Sequence, residues 1–433
     1  MDVMPGYKRT AVGVIPEDWD VVPFGEAFEF LSTATYSRAQ LVQSGEAFYI
    51  HYGDIHTKWN HFVDFDKALL PEVSKEQSQR YQFVKDGDLI MADASEDYEG
   101  IGKCVEVKNT RGRKAISGLH TFLLRDKIGT FVNGYRGYIH SNILVKRQFD
   151  RLATGLKVYG VSRSNLKIVQ IPLPPTKTEQ CAIIAALSDA DALIESLEHL
   201  IAKKRHLKQG AIQELLTGRK RLPGFSGDWE RPAFGEIFDY HSTATNSRSD
   251  LSDKGDTYYI HYGDIHTRFH SHLDFRSNQP PRIERRRCKN ATLLKNGDWI
   301  MADASEDFDG IGKSIEILGL AEGVSAVSGL HTFLLREKKP TFAPGFKGHL
   351  GNLDSLHEQF LRVATGMKVF GVSKTALKDL TLPVPGQAEQ TAIANMLSDM
   401  DAEIAALEAK LAKTRQIKQG MMHNLLTGRI RLV

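Results

Sequence analysis

The chain contains the same long segment twice. Glu179 to Arg221, EQCAIIAALSDADALIESLEHLIAKKRHLKQGAIQELLTGRKR, returns as EQTAIANMLSDMDAEIAALEAKLAKTRQIKQGMMHNLLTGRIR, Glu389 to Arg431. In the first copy Ile183, Leu187, Ala190, Ile194, Leu197 and Ile201 recur at alternating spacings of four and three, and Ile393, Leu397, Met400, Ile404, Leu407 and Leu411 repeat the pattern. That is the seam of a coiled coil. Prolines precede each copy (Pro174 and Pro175; Pro383 and Pro385), neither copy contains one, and Gly218 and Gly428 close them. The spacing predicts two helices of about 40 residues and roughly 60 Å each. A helix that long with one apolar stripe needs a partner in water, and the nearest candidate is its own copy. A whole domain separates the copies, so the chain has room to reverse. The expectation is an antiparallel coiled coil with approximate twofold symmetry.

The duplication covers nearly the whole chain with a period of about 210 residues, a tandem domain duplication rather than a solenoid. DWDVVPFGEAFEFLSTATYSR (Asp18 to Arg38) matches DWERPAFGEIFDYHSTATNSR (Asp228 to Arg248), and FYIHYGDIHT (Phe48 to Thr57) matches YYIHYGDIHT (Tyr258 to Thr267). The latter reads as a strand followed by a loop. VKDGDLIMADASEDYEGIGK (Val84 to Lys103) agrees with LKNGDWIMADASEDFDGIGK (Leu294 to Lys313) almost letter for letter: a turn, a strand and a Gly-rich loop. Val105 to Ala115 and Ile315 to Ala326 differ in length and charge, as a hairpin tip would. ATGLKVYGVSRSNLKIVQIPLPP (Ala153 to Pro175) matches ATGMKVFGVSKTALKDLTLPVPG (Ala364 to Gly386). The fold class is α+β: two mostly β domains, 1–176 and 218–386, each followed by a long helix, 177–217 and 387–433.

At 433 residues, 41% hydrophobic and 25% charged, the chain can build several real cores. A net charge of +3 permits nucleic-acid binding only through local clustering. Cys104, Cys181 and Cys288 face Ser314, Thr391 and Ser78 in the repeat, so neither a disulfide framework nor a zinc knuckle is expected. No run approaches a membrane span, and a cytoplasmic location is the expectation. There is no Asp/Asn-Pro-Pro-aromatic tetrad, no strand-linked GxGxxG, and GIGKS at Gly310 to Ser314 lacks the first glycine of a phosphate loop. No catalytic centre is expected in this chain.

The GDI and DGDLIMA-type segments, the later ATGxKxxGVS, IPLPP followed by EQ, the long helix and LLTGR at its end resemble, in this order and twice over, the specificity subunits of type I restriction-modification systems. The resemblance implies two target-recognition domains held apart by an antiparallel helix pair, each reading half of a bipartite double-stranded DNA site. It also implies two methyltransferase subunits, which would carry S-adenosylmethionine, and motor-nuclease restriction subunits as partners, with no cofactor on this chain.

His51, Asp54, His56, Asp93, Glu96, Asp97 and His120, all duplicated, suit a rival reading as a tandem metal-dependent phosphodiesterase. His51 and His56 on one strand would point to opposite faces, which argues against joint ligation. The preferred reading is DNA contact through groove-facing loops. Its candidates in the first copy are Arg38, Tyr52, Asp54, His56, Lys58, Ser95, Lys103, His120, Lys157, Tyr159, Gly160 and Ser162. Their counterparts are Arg248, Tyr262, Asp264, His266, Arg268, Ser305, Lys313, His331, Lys368, Phe370, Gly371 and Ser373. Ile183, Leu187, Ile194, Leu197 and Ile201, with Ile393, Leu397, Ile404, Leu407 and Leu411, are the helix-pairing residues. Lys203, Lys204, Arg205, Lys208, Lys413, Arg415 and Lys418 read as a solvated face or, less favoured, as contacts to spacer DNA. A scaffold that joins proteins without reading DNA is the remaining alternative. The copies part between Lys58–Gln82 and Arg268–Ala291, but the changes at the suspected contact positions are mild (Lys58 to Arg268, Trp59 to Phe269, Glu99 to Asp309, Arg163 to Lys374), so the expected target is an inverted repeat around a non-specific spacer, with half-sites about one to one and a half turns of DNA apart.

Overall fold

The computed structural model describes residues 4–42 and 44–432, so the outermost residues of the expected domain bounds, 1–3 and 433, lie outside it. Contacts divide the chain into two compact units, Met1–Ser196 with Leu411–Val433, and Leu197–Lys410. The long helices run Lys177–Leu215 and Gln387–Leu425, 39 residues each. The division falls inside both. Each unit therefore holds one mostly β domain with a segment of each helix.

In the first unit five strands lie in the order Phe28–Leu31, Thr121–Asp126, Leu89–Ala92, Cys104–Lys108, Phe62–Asp64, antiparallel except for the last pair. Three more lie in the order Ala115–Ser117, Ala47–Ile50, Glu72–Val73. The second unit repeats both sheets. Leu89–Ala92 and Trp299–Ala302 are buried at every position, which is why LIMA and WIMA read as unbroken apolar runs rather than alternating ones.

Two local expectations are corrected. After Ala47–Ile50 the chain enters a helical turn, Tyr52–Thr57, not a loop: His51 caps it, its ring Nδ1 accepting the Gly53 N–H at 3.1 Å, and Asp54 sits in the first turn. The segment after Val105 is not a hairpin tip but a link between sheets. Cys104–Lys108 belongs to the five-stranded sheet and Ala115–Ser117 pairs in parallel with Ala47–Ile50. Asn109 and Arg111, with φ of 57° and 48°, turn the chain away from a return path.

The helix stripe does more than pair helices. In the first unit Ile183 and Leu187, with Leu425 and Leu426, complete a core around Trp19, Phe24, Phe28, Tyr138 and Phe149. In the second, Ile393 and Leu397, with Ile212, Leu215 and Leu216, pack on Phe234, Phe238 and Trp299. Each fully buried side chain of this kind contributes about 1.5–3 kcal/mol. Leu197, Ile201 and Ile404 are buried, whereas Ile194, Leu407 and Leu411 are half-buried.

Ion pairs show the direction of the helix contact within each unit. In the second, Lys204 meets Glu403 at 2.6 Å, Lys208 meets Asp401, and Arg221 meets Glu389 at 2.5 Å, so one helix climbs as the other descends. In the first, Glu179 meets Arg431 and Asp191 meets Lys418, again antiparallel. At Lys208 and Lys418 the basic run is neither a solvated face nor a track for spacer DNA, because both ammonium groups are largely covered against Asp401 and Asp191, whereas Arg205, paired with Glu408, stays exposed as a solvated face would. The EQ motif is structural for the same reason, its Glu179 and Glu389 taking Arg431 and Arg221, each two residues past a TGR. Gln180 Oε1 accepts the Val132 N–H at 2.9 Å and Gln390 Oε1 accepts the Ala343 N–H at 2.7 Å, tying each helix start to its domain.

Candidate nucleic-acid interface

In the first unit the helical turn Tyr52–Thr57, the loop from Ser95 to Lys103, His120 and Val158 enclose a cleft of about 770 Å3. Asp54 lies beneath it with no exposed surface, and its Oδ1 accepts from Arg38 at 2.8 Å and Lys58 at 3.0 Å. The buried carboxylate fixes two cations whose side chains stay 55% and 46% exposed, so they present positive charge from set positions. Asp264 holds Arg248 likewise at 2.8 Å. Arg268 takes another partner, donating to the Gln279 carbonyl at 3.1 Å and lying over the Phe269 ring.

The Gly-rich loop is braced from within. Ser95 Oγ accepts the Asp97 N–H at 3.3 Å, and Asp97 Oδ1 accepts the Gly100 N–H at 2.7 Å. Lys103 Nζ donates to the His56 carbonyl at 2.9 Å, and burial lowers its pKa. His56 Nε2 meets the Ala94 carbonyl at 2.9 Å, as His266 meets Ala304 at 3.2 Å. His120 and His331 both stand at φ 55°, a conformation that turns each ring outward beside Asp93 at 3.2 Å and Asp303 at 3.3 Å. Burial raises the pKa of both aspartates, and the neighbouring histidine opposes the shift. Tyr52 and Tyr262 stand edge-on to these histidines, at 5.4 Å and 5.5 Å.

The segment from Ala153 to Ser162 joins this face through a short pairing of Tyr159–Gly160 with Ala94–Ser95, and Phe370–Gly371 pairs with Ala304–Ser305. Lys157 and Lys368 are exposed on it.

The candidates differ in exposure. Asp54, Asp264, Ser95 and Ser305 are buried, and their contacts position the loops of this face. Ser162 and Ser373 cap the helices Arg163–Ile168 and Lys374–Lys378, accepting from Asn165 and Ala376 at 3.1 Å. Arg38, Lys58, His120, Lys157 and their counterparts Arg248, Arg268, His331 and Lys368 remain at the surface, and so does Lys313. Tyr52, His56, Tyr159, Gly160, Lys103, Tyr262, His266, Phe370 and Gly371 are partly covered.

Sequence reasoning missed Tyr98 and Phe308, which are more than half exposed and lie 4.1 Å, ring to ring, from Tyr159 and Phe370. An aromatic retained in both copies of a polar loop was the available signal. Of the residues of the metal reading, His51 caps the helical turn, Asp54 holds two cations, His56 meets the Ala94 carbonyl and Asp97 braces the Gly-rich loop, and among the described residues no three His, Cys, Asp or Glu side chains form a metal-binding group.

Residues 16–203 match the family model of the type I restriction modification DNA specificity domain. The chain is 22% identical to the MjaX specificity subunit of a type I restriction enzyme from Methanocaldococcus jannaschii, covering 98% of this chain and 97% of that protein. It is 21% identical to the MjaVIII specificity subunit of the same organism, over 96% of this chain and 94% of that one. Its fold resembles the crystal structure of the type I restriction-modification S subunit from M. genitalium, with a TM-score of 0.54 at 13% identity over 98% of both chains. It also resembles a chain from a structural study of complex assembly and conformational transition in the type I R-M system, with a TM-score of 0.59 at 15% identity over 96% of this chain and 99% of that one.

Proposed function

We propose, from the premise that this chain belongs to the type I restriction-modification specificity subunits, that its units each read one half of a bipartite DNA site and that the two halves are nearly the same sequence in opposite orientation. One observation carries the reading: surface groups at the cleft of the first unit have close counterparts on the equivalent face of the second. Arg38 and Arg248 rest on equivalent aspartates at the same 2.8 Å, and His120 and His331 share an unusual backbone conformation. Tyr98 to Phe308, Glu99 to Asp309 and Tyr159 to Phe370 are mild changes, and Lys58 to Arg268 keeps the charge while exchanging the aspartate for the Gln279 carbonyl. Groups so alike in identity and setting favour the same bases.

The cleft carries the means to read DNA: cations for phosphates, and histidine, carboxylate and aromatic edges for bases. On this reading the chemistry belongs to partners, two methyltransferase subunits supplied with S-adenosylmethionine and, for cleavage, motor-nuclease subunits. The test is co-expression with a methyltransferase subunit of the same system, followed by mapping of the modified bases. Two matched half-sites around a fixed spacer are expected. A complex that modifies DNA without any sequence preference would overturn the reading.

A further inference from the structure

In both units a large apolar side chain stands almost free of the protein. Leu156 and Met367 are each 96% exposed, and Val158 and Val369 beside them are each 55% exposed. A lone exposed leucine on a soluble protein is ordinary. These two differ in being repeated, at the same exposure, at the tip of the same loop, and in being held there by design of the backbone.

The loop is closed at its base by two hydrogen bonds, Thr154 N–H to the Gly160 carbonyl at 3.0 Å and Gly160 N–H to the Thr154 carbonyl at 2.8 Å, and the second unit repeats them between Thr365 and Gly371. Gly155 and Gly366 turn the chain at φ 139° and 137°, where a Cβ would also collide with the carbonyl of Val158 or Val369. The turn cannot relax to fold the tip inward without breaking that closure. Each apolar tip is followed by an exposed lysine, Lys157 or Lys368, and its base pairs with the strand that opens the Gly-rich loop of the cleft.

We propose that Leu156 and Met367 are wedges that enter the stack of DNA base pairs, one in each half-site, and unstack or kink the step they enter. The inference rests on the DNA reading of the cleft and adds a physical action to it. Proteins that deform DNA insert single leucine, isoleucine, methionine or phenylalanine side chains between base steps and hold the flanking phosphates with cations. One tip side chain with a lysine beside it has the dimensions of that task. It offers far too little apolar surface for a stable protein–protein contact, which buries about 1,200–2,000 Å2. Both leucine and methionine are unbranched at Cβ and fit between bases, so the one substitution between the copies preserves the function.

The test uses the full-length chain and the duplex it recovers from a random-sequence library, with 2-aminopurine placed in turn at each step of both recovered half-sites. Binding of the wild-type chain is expected to raise fluorescence at one step in each half-site. Leu156→Ala should abolish the rise in one half-site and Met367→Ala in the other, each weakening binding by about 10- to 100-fold. Leu156→Met should retain the signal. Selective recovery of a duplex with no fluorescence rise, and with Leu156→Ala binding as tightly as wild type, overturns the wedge and leaves the DNA reading standing. Failure to recover any preferred sequence overturns both. Loss of methyltransferase capture in Leu156→Ala, with the DNA signal unchanged, would make the tip a protein-docking knob and likewise overturns the wedge.

Discussion

Arg431 closes on Glu179 from 252 residues away, its Nη2 donating to Oε2 at 2.8 Å while its other guanidinium nitrogens reach Glu179 and Asp18. Glu179 is almost wholly buried and Arg431 is about a quarter exposed. The last residues of the chain thus secure the first turn of the first long helix, and Arg221 does the same for Glu389 in the other unit.

Arg431→Ala would leave the Glu179 carboxylate buried without its cation. The expected cost is about 2–3 kcal/mol, reduced from that of a fully enclosed pair by the partial exposure of the arginine. Arg431→Lys, which cannot form the two-point contact, should fall between the variant and wild type. Urea unfolding of the three proteins checks the order.

Lys418 and Lys208 occupy equivalent helix positions but different surroundings. Lys418 lies against Asp191 and 3.1 Å from His61 Nε2, and Tyr138 donates to the same aspartate at 2.7 Å. In the second unit His349 stands where Tyr138 would be, and neither of its ring nitrogens has a hydrogen-bond partner. Lys418→Met should therefore cost about 2–3 kcal/mol, and Lys208→Met less, because fewer groups depend on it. Equal losses in urea unfolding would contradict this difference.

Burial, reinforced by the charge of Lys418, pushes the His61 pKa from 6.5 down to about 3. The ring is neutral in the folded chain, with Nε2 accepting from Lys418 and Nδ1 facing the Gly137 carbonyl at 3.3 Å. Below pH 6.5 the unfolded chain gains a proton that the folded one refuses, so stability falls as pH drops from 6.5 towards 3. His61 alone should remove about 2 kcal/mol between pH 7 and 5. Buried His140 and His349, also shifted down, act with the same sign. His61→Gln should flatten the acid limb of a stability–pH curve.

Lys157 and Lys368 are exposed on loops of the proposed DNA face. If each meets one phosphate, replacing both by alanine should lower the slope of log affinity against log salt by about 1.8. Titrations of the wild type and the double variant at several salt concentrations check it. An unchanged slope would take these loops off the backbone.

The duplication and the two helices were legible in the sequence because a seam of Ile183, Leu187, Leu197 and Ile201 records itself as spacing. The buried strands were legible because LIMA and WIMA are continuous apolar runs. What the sequence hid was the division of labour among polar residues. Asp54 and His120 look equally suited to a base edge on paper, yet one is sealed beneath two cations and the other is turned out by a positive φ. Ser162 resembles a DNA-facing hydroxyl until the helix it caps is seen. Glu179 and Arg431 gave no sign of their pairing, since a contact across 252 residues leaves no local pattern.

The most direct measurement is a map of the bases modified in DNA exposed to this chain together with a type I methyltransferase subunit. Matched domains predict one inverted repeat, two identical half-sites in opposite orientation around a spacer of fixed length. An asymmetric site, with different sequences on the two sides, would contradict the account and make the small differences between the two copies the determinants of what is read.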